Sequence, residues 1–115
     1  MFTKYLMLAC ALLSHNVLAG TFACDVNIQN VLMYHDGSVN VRHSGRNDYT
    51  YICNLNNERM GVSVTTCAMW TSVLVNLQAQ DKKAAFYYNV PEITSCALLP
   101  IYRESPAPVY IGTAN

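Results

Sequence analysis

The sequence predicts a mainly β domain with one α-helix, stabilised by disulfides. Three observations lead there. Several segments alternate apolar and polar residues with the period of two that a half-buried strand requires. One stretch, between Thr66 and Lys83, switches to the helical period. Four cysteines remain once the amino-terminal segment is set aside.

That segment has Lys4 ahead of the apolar run Tyr5 to Leu13, then Ser14-His15-Asn16, with small residues at Val17 and Ala19. It reads as a secretory signal peptide over residues 1–19, cleaved after Ala19. The apolar run of 9 residues is less than half of the ~20 needed to cross a bilayer. Cys24 follows Thr21-Phe22-Ala23, without the Leu that lipoprotein processing requires three positions earlier. Cleavage leaves a single domain, 20–115, of 96 residues with 6 basic and 7 acidic side chains, for a net charge of −1. No later stretch is apolar enough for stable membrane insertion, so the expected location is the periplasm or the exterior. There is no Asn-x-Ser/Thr sequon, which suits a bacterial secreted or periplasmic protein.

Cys10 leaves with the signal, and Cys24, Cys53, Cys67 and Cys96 stay in an oxidising compartment, where two disulfides are expected. No pair has the C-x2-C spacing of a structural zinc site, and a cysteine nucleophile would have to stay reduced. Four cysteines allow three connectivities. The preferred one pairs Cys53 with Cys67, closing a local hairpin, and Cys24 with Cys96, tying the opening strand to the end of the fold. The other two stay open at this level.

The first strand starts at Cys24-Asp25-Val26-Asn27-Ile28-Gln29, which alternates strictly. Asn30 then falls in an apolar slot before Val31 to Tyr34, so a bulge near Asn30 is expected to restore the alternation. Asp36-Gly37 suits a two-residue hairpin turn, and Val39 to His43 is the return strand. A polar loop, 44–48, leads to a third strand with Tyr49, Tyr51, Cys53 and Leu55 on one face and Thr50, Ile52 and Asn54 on the other. Gly61 to Thr65 reads as a short strand. In the helix, Met69, Trp70, Val73, Leu74 and Leu77 form the apolar stripe, with Thr65 or Thr66 as cap and Lys82 and Lys83 near the carboxyl end. Trp70 sits in that stripe, which makes it a core residue. Ala84 to Val90 is a strand ended by Pro91, and Pro106 and Pro108 confine any last strand to an edge.

Strands, one helix after the third strand system, then one or two strands within a domain this short is the element order of a small, OB-like five-stranded barrel. A resemblance points the same way. Tyr51-Ile52-Cys53, then Val64-Thr65-Thr66-Cys67-Ala68, then Trp70 and the helix carrying Leu74, Leu77 and Ala79 resemble the secreted B subunits of subtilase-cytotoxin and pertussis-like toxins. The resemblance spans about half of the mature chain, Tyr49 to Asn89. It implies an OB fold, a Cys53–Cys67 disulfide and ring-forming, glycan-binding subunits. The chain departs from the pattern before Tyr49, where those subunits contact sugars, and around the final strands, so no sugar-binding residue is carried over.

Composition narrows the function. Only 12% of residues are charged, against about 25% in ordinary soluble domains, and 52% are hydrophobic. This excludes a disordered tail and a basic nucleic-acid binder. No G-x-S-x-G, Gly-rich phosphate loop or H-E-x-x-H pattern is present. Glu58 and Glu92 lie in separate turn-like segments, and His35 and His43 read as exposed turn and strand residues held apart by the hairpin. No catalysis, metal or cofactor is expected. What remains is aromatic: the mature chain has seven tyrosines. A tyrosine offers an apolar face and a hydroxyl, useful against sugars and proteins. Tyr34, Tyr49, Tyr87 and Tyr102 are the candidate contacts. The expected function is a secreted or periplasmic, non-catalytic binding module for a glycan or protein partner. The alternative is a structural or assembly subunit that associates, for instance as a homo-oligomer, through an exposed edge strand and apolar surface.

Overall fold

The computed structural model describes residues 20–114; the expected signal peptide lies outside the described residues. Six strands and one α-helix follow in the order β1 (Thr21–Val26), β2 (Ile28–Met33), β3 (Ser38–His43), β4 (Tyr49–Asn54), α1 (Val64–Ala79), β5 (Ala84–Asn89) and β6 (Tyr110–Thr113), with a 3-10 turn at Cys96–Leu98 before β6. They build two antiparallel sheets, β1-β5-β6 and β2-β3-β4.

The mainly β, one-helix class therefore holds, and the closed five-stranded barrel does not: the strands form two open sheets of three. Two local features explain the opening. β1 and β2 are one run divided at Asn27, whose N–H donates to the Ser44 hydroxyl at 2.9 Å while its carbonyl accepts from Ser44 N–H. The run pairs with β5 before this point and with β3 after it, so it passes from one sheet to the other. On the far side, β4 pairs with the carboxyl-terminal segment through an isolated parallel bridge, Thr50 to Tyr102, and not through a ladder. Pro100, Pro106 and Pro108 remove the donors that a longer ladder would need.

The bulge expected near Asn30 is present: the register shifts between Ile28 and Asn30, leaving Gln29 unpaired. A second bulge lies on β4, where Cys53 pairs with Val39 and Tyr51 with Asn40, leaving Ile52 as the extra residue. It overturns the strict alternation read for this strand. Ile52 and Cys53 both enter the core, and Tyr51 shares the opposite face with Asn54, whose amide donates to the Tyr51 hydroxyl at 2.9 Å. The hairpin loop has three residues rather than two. Tyr34 N–H donates to Ser38 O and Gly37 N–H to Tyr34 O, with Gly37 at φ +90°.

The short strand expected over 61–65 reduces to a bridge between Arg59 and Val62, because helix formation starts earlier than the periodicity indicated. Ser63 is the cap, its hydroxyl accepting from Thr66 N–H at 3.1 Å. The helix ends at Ala79, ahead of Lys82 and Lys83. Cys67, Trp70, Thr71, Leu74 and Leu77 are its buried residues, while Met69 faces outward. Cys67, Trp70, Leu74 and Leu77 pack with Val26, Val39, Val41, Ile52, Phe86, Tyr88 and Leu99 into one core. Truncating the fully buried Leu74 to Ala removes about 2–5 kcal/mol from this core.

Both disulfides pair as preferred above, Cys24 with Cys96 (Cα separation 6.0 Å) and Cys53 with Cys67 (5.5 Å). Two such bridges suit an oxidising, extracellular-type compartment. Among the described residues, no helix is long and apolar enough to cross a membrane.

Candidate functional site

A cleft of about 460 Å³ opens on the outer face of the β2-β3-β4 sheet. This lies within the ~300–1,000 Å³ usual for small-molecule sites. Its floor comes from β3. Val39 and Val41 are wholly buried in the core, so alternation directs Ser38 and Asn40 to the opposite, cleft face. β4 contributes Tyr51 and the end of β2 contributes Tyr34. The hairpin loop adds Asp36, and the segment before β6 adds Tyr102 and Arg103.

Local chemistry fixes each group. Asp36 accepts from both the N–H of Ser38, at 3.0 Å, and its hydroxyl, at 2.7 Å. These bonds, the backbone one first, hold the Asp36 carboxyl below its ordinary pKa, so it is ionised at neutral pH. Tyr102 sits at φ +52°, a conformation that a bulky residue rarely adopts. Its N–H bonds to Tyr49 O, and its ring lies 5.9 Å from that of Tyr49, whose hydroxyl accepts from the Asn30 amide. Ser105 is fully buried behind this segment, accepting from Tyr51 N–H and donating to Pro100 O. Asn40 is 4% exposed, and its Oδ1 is buried with no hydrogen-bond partner.

Of the four candidate tyrosines, Tyr34, Tyr49 and Tyr102 come together at this cleft or against its wall, and Tyr87 does not. Tyr87 lies on the other sheet, stacked on Tyr110 with ring centres 5.0 Å apart. Tyr51 joins the cleft because of the β4 bulge. Sequence reasoning missed Asp36, Ser38, Asn40 and Arg103 as cleft residues. The Asp-Gly-Ser turn was a readable signal for the first two; Asn40, one polar residue between two valines, carried none.

His43 is a correction. It is fully buried, not an exposed strand residue, because it shares the core face of Val39 and Val41. The Gln29 bulge also pairs it with Ile28 instead of Asn30. Its Nδ1 accepts from Gly45 N–H at 3.1 Å, Nε2 has no partner, and the ring lies 5.0 Å from Phe86. Burial pushes its pKa down to about 4, so the imidazole is neutral. Among the described residues, no group of three or more His, Cys, Asp or Glu could hold a metal ion. A second concavity, about 380 Å³, lies between the end of α1 and β6 and is lined by Val73, Leu77 and Thr113 among others; none of the unpartnered buried polar atoms belongs to it.

Comparison with known proteins returns no match: no family model, no curated protein and no solved structure matches the chain significantly.

Proposed function

We propose that the protein is a secreted or periplasmic, non-catalytic binding module that recognises a glycan through the cleft on the β2-β3-β4 sheet. One observation carries the reading: Tyr34, Tyr51 and Tyr102 line a single cleft together with the polar side chains of Asp36, Ser38, Asn40 and Arg103. Sugars need both surfaces, an apolar face for their C–H groups and hydrogen-bonding atoms for their hydroxyls. The resemblance to toxin B subunits favours the same ligand class over a protein partner. The test is a printed oligosaccharide array probed with the purified mature chain. Specific signal that falls about tenfold in Tyr34→Ala and Tyr102→Ala, and persists in Tyr87→Ala, supports the cleft; signal lost only in Tyr87→Ala rules it out.

A second reading, an assembly subunit, draws on a different place. β6 ends its sheet, and Val109 and Tyr110 beside that edge are exposed. Light scattering on eluted protein separates the two. A strictly monomeric chain with specific array signal excludes assembly through β6.

A further inference from the structure

The Tyr51 hydroxyl is a donor whose role the surrounding hydrogen bonds set. Asn54 Oδ1 accepts from the N–H groups of Asn56, at 2.8 Å, and Asn57, at 3.1 Å, which fixes the way its amide points. Its Nδ2 therefore lies on the other side and donates to the Tyr51 hydroxyl, at 2.9 Å, and to the Asp36 carbonyl, at 3.4 Å. The Tyr51 oxygen is thus an acceptor toward Asn54, and among the described residues nothing takes its proton. That proton is left for the cleft, which Tyr51 lines, and the Arg59 guanidinium stacked on the ring holds the phenol in place. Asp36 is the opposite in character. Its Oδ1 takes both bonds from Ser38, and its Oδ2 has no partner among the described residues. Donor and acceptor stand on either side of one amide nitrogen, Asn54 Nδ2. The exposed Tyr34 and Tyr102 line the same cleft.

We propose that the cleft selects an N-acetylhexosamine, with the Tyr51 hydroxyl donating to the acetamido carbonyl and Asp36 Oδ2 accepting from the acetamido N–H. The inference rests on the glycan reading above and deepens it. An acetamido group is planar, with its N–H and C=O pointing in opposite directions, and it ends in a methyl group that gains from leaving water. The cleft offers one acceptor, one donor and tyrosine side chains for these three parts. A free ammonium in its place donates only and leaves the Tyr51 proton unanswered. A plain hydroxyl lacks the methyl and the separation between donor and acceptor. The charged residues lining the cleft, Asp36 and Arg103, are one of each sign, which suits a neutral sugar.

The test uses the mature chain and the array glycan of strongest signal, which is expected to end in an N-acetylhexosamine. Two analogues of that glycan are compared with it by titration calorimetry, one with the free amine and one with a hydroxyl in place of the terminal acetamido group. Each is expected to bind the wild type about tenfold more weakly. Tyr51→Phe keeps the ring under Arg59 and removes the donor. Its affinity for the parent glycan should fall about tenfold while its affinity for the hydroxyl analogue stays, so most of the preference is lost. A Tyr51 that merely supported the fold would weaken both ligands alike. Asp36→Asn, whose side-chain carbonyl still accepts from Ser38, should lose the preference in the same way. The wild-type comparison stands even if both variants fail to fold. A strongest glycan without an N-acetylhexosamine, equal binding of the three ligands, or a Tyr51→Phe chain that keeps the full preference overturns the acetamido assignment and leaves the glycan reading standing. A wild-type chain that binds no glycan overturns both.

Discussion

The Arg59 guanidinium lies 3.8 Å above the centre of the Tyr51 ring and donates to the carbonyls of Tyr51 and, at 2.7 Å, Ser105. One side chain thus fastens the segment that carries Tyr102 and Arg103 to strand β4. The planar fork is what allows stacking and donation together, and a lysine ammonium has no such plane. Arg59→Ala is expected to cost about 1–3 kcal/mol in chemical denaturation. Arg59→Lys should recover only part of it. Hydrogen exchange at Tyr51 N–H, which donates to Ser105 Oγ, should accelerate in both variants. An unchanged exchange rate there would show that Arg59 does not hold the segment.

His43 makes stability depend on pH. Its folded pKa, about 4, lies below the ordinary value of 6.5, because burial disfavours the imidazolium. Between these values the unfolded chain binds a proton that the native state refuses, so stability is full above pH 6.5 and declines as pH falls toward 4. The expected loss is about 3 kcal/mol, read as a shift of the urea midpoint between pH 7 and pH 4. His43→Gln, which cannot titrate, should flatten that part of the profile whatever its stability at pH 7.

The two disulfides should contribute unequally. Cys53–Cys67 closes a loop with a sequence separation of 14, and Cys24–Cys96 one of 72. Chain-entropy reasoning assigns about 3 kcal/mol to the first and about 4 kcal/mol to the second. Paired Cys-to-Ala variants, compared by equilibrium denaturation, should follow that order. The Cys24/Cys96 pair should also weaken the cleft, because Cys96 anchors the segment leading to Tyr102.

Gly37 cannot be replaced without cost. It holds φ +90°, and a Cβ there would stand 2.5 Å from Asn54 Oδ1 and 2.8 Å from the Asn56 side chain. Gly37→Ala is expected to lose more than about 1 kcal/mol and to displace Asp36 from the cleft rim. Thermal unfolding measures the first effect, and titration with the array glycan the second.

Much of this architecture was legible as pattern. Alternation marked β3, β4, β5 and, as one continuous strand, the run that divides into β1 and β2; the helical stripe marked α1 with Trp70 and Leu74 inward, and the misfit at Asn30 marked a bulge. The β4 bulge left no such misfit, because Ile52 and Cys53 are both acceptable on either face of a strand. By alternation alone Tyr51 is one tyrosine among seven, and Asn54 faces away from it. The early helix start at Val64 was equally hidden, since Val and Thr favour strands and only the Ser63 cap decides otherwise.

The sequence by itself determined the class of the domain, the cysteine content, the sparse charge and the tyrosine content, because these depend on composition and on neighbours along the chain. Tertiary structure decided which tyrosines meet, that Asn40 lacks a partner, that His43 is buried and that the sheets stay open. Those depend on cross-strand register and on how the segment from Pro100 to Pro108 lies against β4. Register places residues far apart in sequence side by side, and no local period encodes that.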